Sequence, residues 1–277
     1  MGLRHPHRTD ISHVRSEYFE AAEVVGDTWA QLRREAKRTL EAEPSLDALL
    51  GAVIFERASL ASSSASIIAR LVAEDERERE IHSSLVAGIL AENQRLTHFA
   101  CLDLRASQRA GQAGATALRT YLFSPGFHAL QCHRVCHWLW KRGRSEIALR
   151  LQAAARRRSG VGIHPSAEIG HGVVLDDGGA ISVGENCSIG NDVRLGAGVL
   201  VCRSDVAPGS AGPRLSDAVT LRAGARVIGA VSLGAGCVVR EATDVLEDVA
   251  PFAVVEGVAA RIAGHGQARD SFARVPT

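Results

Sequence analysis

Residues 163–201 read IHPSAEIGHGVVLDDGGAISVGENCSIGNDVRLGAGVLV, with aliphatic residues at Ile163, Ile169, Leu175, Val183, Ile189, Leu195 and Val201. The series resumes at Leu221, Val227, Leu233, Val239 and Val245. The step is six except at two places: eight between Leu175 and Val183, a two-residue insertion, and twenty between Val201 and Leu221, three steps plus two. An α-helix repeats its apolar positions every three or four residues and a plain strand every two, so a period of six is neither. It is the signature of a parallel β-helix, in which three hexads make one triangular coil and each inward anchor stacks on the anchor three hexads away. Gly follows the anchor at 170, 184, 190, 196 and 234, and is read as serving the sharp corner between sides. A solenoid core accepts insertions only as loops. Arg203–Ser216, with Pro208, Gly209, Gly212 and Pro213, is therefore expected to leave the coil at one corner, a usual place for binding function.

Upstream of Gly160 the pattern changes. From Ser12 to Arg158 the chain is rich in Ala, Leu, Glu and Arg. Apolar residues recur at helical spacing, as in Trp29, Leu32, Ala36 and Leu40, with Arg33, Arg34, Lys37 and Arg38 on the other face. Pro44-Ser45 separates this helix from the next, with Ser45 placed to cap it. The run EDERERE (Glu74–Glu80) reads as a solvated helix face, and the Gly/Ala/Gln-rich Ala106–Ala117 as a loop. A last helix is expected over Gly126–Arg158, its closing arginines complementing the negative helix end; a small nucleic-acid patch at Arg156–Arg158 is the alternative reading. The layout is thus α+β: a flexible tail 1–11, an α-helical domain 12–159, a β-helix 160–262 with an extruded loop 203–216, and a C-terminal tail 263–277.

Composition bounds the function. The 277 residues are 46% hydrophobic, and 32 Lys+Arg against 31 Asp+Glu leave a net charge of +1. That balance exerts no overall pull toward nucleic acid, membrane or acidic partners. Aromatic residues are only 4%, so the core must be mostly aliphatic. No stretch approaches the roughly 18 apolar residues of a membrane span, and the opening MGLRHPHRTD has no apolar run of a signal peptide. Cysteines at 101, 132, 136, 187, 202 and 237 form no CxxC pair and read as reduced thiols of a cytoplasmic protein.

Several landmarks carry a resemblance. Gly126-Phe127-His128-Ala129-Leu130-Gln131, then Arg134 and His137-Trp138-Leu139-Trp140, precede the β-helix. Ile163-His164-Pro165 opens it, Leu175-Asp176 leads into the first insertion, Val183-Gly184-Glu185 follows, and Gly257 to Arg261 closes. In these the chain resembles the serine O-acetyltransferases, hexapeptide-repeat acyltransferases of cysteine synthesis, over roughly residues 15–265. The resemblance implies a helical N-terminal domain on a left-handed β-helix. It implies trimers, alone or paired into hexamers, and acetyl-CoA bound between neighbouring β-helices as co-substrate, with no tightly bound cofactor and no metal. It implies a small amino-acid acceptor, serine or a relative, and neither nucleic acid nor membrane as partner.

The family's chemistry uses a His to take the proton from the serine hydroxyl, worth about 10²–10⁴-fold, a carboxylate to orient it, and further carboxylates to hold the ammonium. Asp177 stands where the resemblance puts that His, and Gly162 where it puts a carboxylate just before Ile-His-Pro. Cys202-Arg203-Ser204-Asp205-Val206 and Ala211-Gly212-Pro213 replace the Gly-Gly-Thr-Gly-Lys and Arg-His-Pro stretches, while Asp103 and Asp176 keep the family's acids. The expected catalytic residues are therefore Asp177 and Asp176, with Asp103 and Asp176 holding the acceptor. Asp177 admits three readings: a repurposed base, a substrate-binding group, or the relic of a lost site in an inert scaffold. A carboxylate base also suits an amine acceptor. Gly184 and Ala223-Gly224-Ala225 match places where the family's backbone approaches CoA, corner geometry alone being their other reading. His128, Cys132, His133, Cys136 and His137 have a spacing that suits zinc, with core packing the plainer account. Cys202 reads either as a nucleophile or as a small buried residue. The chain ends Arg274-Val275-Pro276-Thr277, without the C-terminal Ile that docks family members to a sulfhydrylase partner.

Overall fold

In the computed structural model, residues 11–110, 116–177, 179–203 and 211–258 are described. The helical half runs α1 (Ile11–Ala42), a 3-10 turn (Pro44–Leu46), α2 (Asp47–Leu50), a π-helical turn (Gly51–Phe55), α3 (Leu60–Val72), α4 (Glu76–Glu92), α5 (Gln94–Arg109), α6 (Ala117–Phe123), α7 (Pro125–Lys141) and α8 (Ser145–Ser159). No helix among the described residues is long and apolar enough to cross a membrane.

Three local expectations are corrected here. Ser45 lies inside the 3-10 turn, which Pro44 starts because its fixed φ suits a first helical position, so Ser45 caps nothing. Helix α5 continues to Arg109, absorbing the first residues of the expected Ala106–Ala117 loop; residues 111–115 lie outside the described residues. The single helix expected over Gly126–Arg158 is two, divided where Gly143 takes φ 72°, a backbone state that costs Gly little. The arginines ending α8 are spent locally: Arg158 donates to the carbonyls of Arg70 and Ala73 at the end of α3, at 2.5 Å each, and Arg157 pairs with Glu74. The Glu74–Glu80 run holds the start of α4, where Asp75 caps the helix by accepting from the Glu78 N–H.

The β-helix follows in coils of three short strands. The first coil is β1 (Gly162–Ile163), β2 (Glu168–Ile169) and β3 (Val174–Leu175); the second is β4 (Ser182–Val183), β5 (Ser188–Ile189) and β6 (Arg194–Leu195). The third is β7 (Leu200–Cys202), β8 (Arg214–Leu215) and β9 (Thr220–Leu221); the fourth is β10 (Arg226–Ile228), β11 (Ser232–Leu233) and β12 (Val238–Val239). Strands β13 (Asp244–Val245) and β14 (Val254–Val255) close it, with Val249 bridging Leu233 between them. Every strand pairs in parallel with the one a coil away, giving three sheets and a left-handed β-helix. The anchors stack in register as Ile163, Val183, Val201, Val227, Val245; as Ile169, Ile189, Leu215, Leu233; and as Leu175, Leu195, Leu221, Val239, Val255.

Leu215 and Val255 complete the columns that the sequence reading left unfilled. Leu215 also corrects its arithmetic. The twenty residues from Val201 to Leu221 are a fourteen-residue side carrying an eight-residue insertion, then an ordinary six, because Leu221 stacks on Leu195 two sides on. The expected loop 203–216 is shortened accordingly, since Arg214 and Leu215 form β8; residues 204–210 lie outside the described residues. The hexad glycines answer to spacing between coils rather than to φ. A Cβ on Gly190 would lie 2.4 Å from Asp217 Oδ1, and one on Gly196 2.6 Å from the Ala223 nitrogen. The left-handed φ values fall further along each corner, at Asn186, Asp192, Gly198 and Gly224. The anchors form one core with Ala129 and Leu130 of α7, so that helix is seated on the β-helix.

Candidate active site

The first insertion, after β3, meets the N-terminus of α7. Gly126 sits so close to β3 that a Cβ there would lie 2.4 Å from the Leu175 carbonyl oxygen. Helix α7 therefore rests its first turn against the strand that leads into Asp176 and Asp177. Pro125 occupies the first helical position, and Ser124 caps the helix by accepting from the Phe127 N–H at 3.1 Å. The Ser124 hydroxyl donates to Asp177 Oδ1 at 2.6 Å, and the Gly126 N–H donates to the same oxygen at 3.2 Å. Asp177 is otherwise exposed. Its carboxylate extends the cap of α7, at the end of the helix where backbone N–H groups attract negative charge.

Asp176 is half-buried and accepts from Arg194 Nη2 at 3.2 Å. Arg194 comes from β6, one coil along, and also donates to the Ala110 carbonyl at the end of α5. His128, one turn into α7, points Nε2 at the Tyr121 carbonyl at 2.8 Å. A carbonyl only accepts, so Nε2 carries the hydrogen and Nδ1 is the lone-pair nitrogen of the neutral ring. Burial pushes the His128 imidazole below its ordinary value, with the Tyr121 carbonyl and the nearby Asp177 charge opposing.

Ala223-Gly224-Ala225 fills the same corner two coils on. The column is tied together by Gly198 N–H to the Gly179 carbonyl, Gly224 N–H to that of Ala197, and Ala242 N–H to that of Ala223, all 2.8–3.0 Å. Gly184 is elsewhere. It follows β4 at the next corner, stacked over Cys202, where Glu185 takes Arg203 at 2.9 Å and His164 at 3.7 Å. The acids and the Ala223–Ala225 corner thus share one edge of the prism, and Gly184 and the extruded loop share another.

Asp103 is set apart from both. It is 0% exposed on α5, and Oδ2 accepts from Arg134 Nε and Nη2 at 3.0 and 2.7 Å and from Gln131 Nε2 at 3.0 Å, while Oδ1 accepts from the Val173 N–H at 3.0 Å. Arg134 continues to the carbonyls of Ile169 and Gly170. The pair forms a buried clamp from α5 through α7 to the β-helix. His137 and the two cysteines of α7 are likewise occupied by their surroundings: His137 Nδ1 meets the Pro165 carbonyl at 2.9 Å, and Cys132 and Cys136 lie 4.0 Å apart. Among the described residues, no group of three His, Cys, Asp or Glu is placed to hold a metal ion. Burial pushes the half-buried Cys202 thiol up, away from the thiolate a nucleophile needs.

The serine acetyltransferase N-terminal family model matches residues 28–132. The serine acetyltransferase of Escherichia coli K12 is 30% identical over 245 residues, 88% of this chain and 89% of its own. The chain belongs to the serine acetyltransferase family. Among solved structures, soybean serine acetyltransferase complexed with serine is 31% identical with a TM-score of 0.82, covering 86% of this chain and 98% of the soybean chain. A serine acetyltransferase in complex with CoA is 30% identical with a TM-score of 0.80, covering 86% of this chain and all of that one.

As a serine acetyltransferase family member, the chain carries three groups at this corner whose place there sequence reasoning did not give. Ser124 gave a signal in Ser-Pro-Gly, a helix start, but nothing local tied it to residue 177. Arg194 looked like an ordinary outward residue of a hexad. His128 was read among possible zinc ligands, although its helix seats it beside Asp177.

Proposed function

We propose that the protein transfers an acetyl group from acetyl-CoA to the hydroxyl of a small amino acid, serine or a close relative, as in cysteine synthesis. The carrying observation is the acidic corner at the start of α7, in a chain 30% identical to serine acetyltransferase over 88% of its length. Relatives solved with serine and with CoA support both substrates. Asp177 and Asp176 hold the acceptor's ammonium. Asp103 acts through Arg134 and the Val173 N–H as a positioning residue. The hydroxyl oxygen attacks the thioester carbonyl, its proton passes to His128 Nδ1, and the C–S bond breaks as the thiolate leaves and recovers that proton.

CoA lies along Ala223-Gly224-Ala225 of one chain and Gly184 of another. Because these occupy different edges of one prism, a site using both takes them from two copies, which supports a homotrimer or a dimer of trimers. All six cysteines are unpaired thiols, five of them buried, which supports a reducing cytoplasmic setting. A second reading, an inert paralogue serving as scaffold, is favoured by one observation: the Asp177 carboxylate is engaged as a helix cap.

The test is CoA release from acetyl-CoA with serine, homoserine and a panel of amino acids. Turnover is expected with a small hydroxy-amino acid, with KM for the acceptor raised in Asp177→Ala. His128→Gln should lower kcat by about 10²–10⁴-fold. No release with any acceptor, together with no calorimetric binding of CoA, would leave the scaffold.

A further inference from the structure

A groove of about 560 Å³ opens between the π-helical turn, α3 and α4, away from the corner described above. Three arginines, Arg57, Arg70 and Arg79, line it. Two are already engaged: Arg57 donates Nε to the Ala52 carbonyl at 2.7 Å, and Arg79 pairs with Glu76 on its own helix. Arg70 is different. It is half-buried, and its Nε–H is enclosed with no acceptor. Among the described residues, no acceptor meets that N–H and no ion pair relieves the guanidinium. Its own carbonyl is occupied by Arg158, which crowds the same turn with a further cation.

A shielded N–H without an acceptor costs free energy comparable to a lost hydrogen bond, and an unpaired guanidinium costs more. Burial and the neighbouring charges of Arg79 and Arg57 push the Arg70 guanidinium down, with Glu76 opposing. The remaining carboxylates at the rim, Glu56 and Glu80, are exposed, and Glu56 folds back to within reach of Gly51. Hydroxyls of Ser66, Ser83 and Ser84 line the walls, offering neutral donors beside the cations. The π-helical turn gives a further observation: such turns are uncommon and gather at functional sites, and Ala52 and the cap residue Glu56 of this one border the groove.

We propose that this groove is a binding site for a phosphate-bearing small anion, with Arg70 as its central ligand and Arg57 and Arg79 flanking. A tetrahedral dianion takes two parallel bonds from the terminal N–H groups of the Arg70 guanidinium, offsets the positive charge that burial leaves uncompensated, and leaves oxygens for the serine hydroxyls. A carboxylate would have two oxygens for the same donors. Nothing in this assignment depends on the acetyltransferase reading.

The test is calorimetric titration of inorganic phosphate and pyrophosphate into the full chain at constant ionic strength, with chloride as the control anion. The titration is repeated with saturating acetyl-CoA, which removes any phosphate binding at a CoA site. Saturable binding is expected, tighter for pyrophosphate, retained with acetyl-CoA present, and weakened about tenfold or more in Arg70→Met. Arg70→Lys, which keeps the charge but not the fork, should recover part of the affinity. Circular dichroism confirms that each variant is folded. The proposal is overturned if phosphate binds no better than chloride, if binding disappears with acetyl-CoA, or if a folded Arg70→Met protein binds as the parent does.

Discussion

The β-helix and the helical half are stabilised in different ways. In the β-helix each contact is made again a coil later: Leu195 lies between Leu175 and Leu221, which lies beneath Val239, and all four are at most 5% exposed. In the helical half each contact is made once. The cluster around Leu32, Leu50, Ile54 and Tyr121 is separate from the one around Ile68, Val135, Leu139 and Leu151. Among the described residues, the buried Asp103–Arg134 pair is not repeated. The candidate active site lies where the two meet, at a break in the period, since a regular coil has no room for a catalytic group and an isolated helix has no second wall.

The comparison breaks most severely at the clamp. Asp103→Asn leaves Arg134 buried and uncompensated against the Ile169 and Gly170 carbonyls, and should cost about 3–5 kcal/mol. Denaturant unfolding measures it; a loss under ~1 kcal/mol would mean that the clamp is hydrated. Next comes Leu195→Ala, which removes a fully buried anchor and should cost about 2–5 kcal/mol. A coil shares the resulting cavity with its two neighbours, so the value is expected toward the lower end. If the anchor costs more than the clamp, the repeated half is the more sensitive one.

Legibility follows the same division. A period of six fixes which residues face inward and, up to Val201, which strand pairs with which, so the twelve anchors could be placed before any coordinates. Leu215 escaped because the long insertion before β8 erased the phase, and Val255 because the side ending at Val249 is short. In the helical half, propensity gave helices but not their ends. Gly143 split one helix, and Ser45 looked like a cap until Pro44 started a 3-10 turn. At the site, Asp177 was marked by its departure from the family pattern. What holds it was not legible: Ser124 is 53 residues away in sequence, and only packing of α7 on β3 brings the two together.

A smaller effect tests a group of the helical half that no repeat supports. His133 of α7 is 5% exposed, its Nδ1 has no partner among the described residues, and burial pushes its imidazole well below the ordinary value. Below about pH 6.5 the unfolded chain takes up a proton there that the folded chain refuses. Its contribution is therefore intact above that pH and lost as pH falls. The parent's stability should drop between pH 7.5 and 5.5 more steeply than that of His133→Leu, by at most about 1.4 kcal/mol per pH unit. Equal slopes would mean that the ring takes up its proton in the fold as readily as in the unfolded chain.

The smallest expected stability effect sits at the junction itself. Ser124 does two things with one hydroxyl: it accepts from the Phe127 N–H to cap α7, and it donates to Asp177. Ser124→Ala removes both bonds. The cap costs about 1 kcal/mol, and Asp177 keeps only its bond from the Gly126 N–H, so its carboxylate is free to turn. Ser124→Asn restores a helix cap without restoring the hydroxyl donor. If the junction only stabilises the fold, melting temperature and acceptor KM should recover together in Ser124→Asn. If Asp177 holds the acceptor, melting temperature should recover while KM stays raised, because the group that fixes Asp177 is still missing.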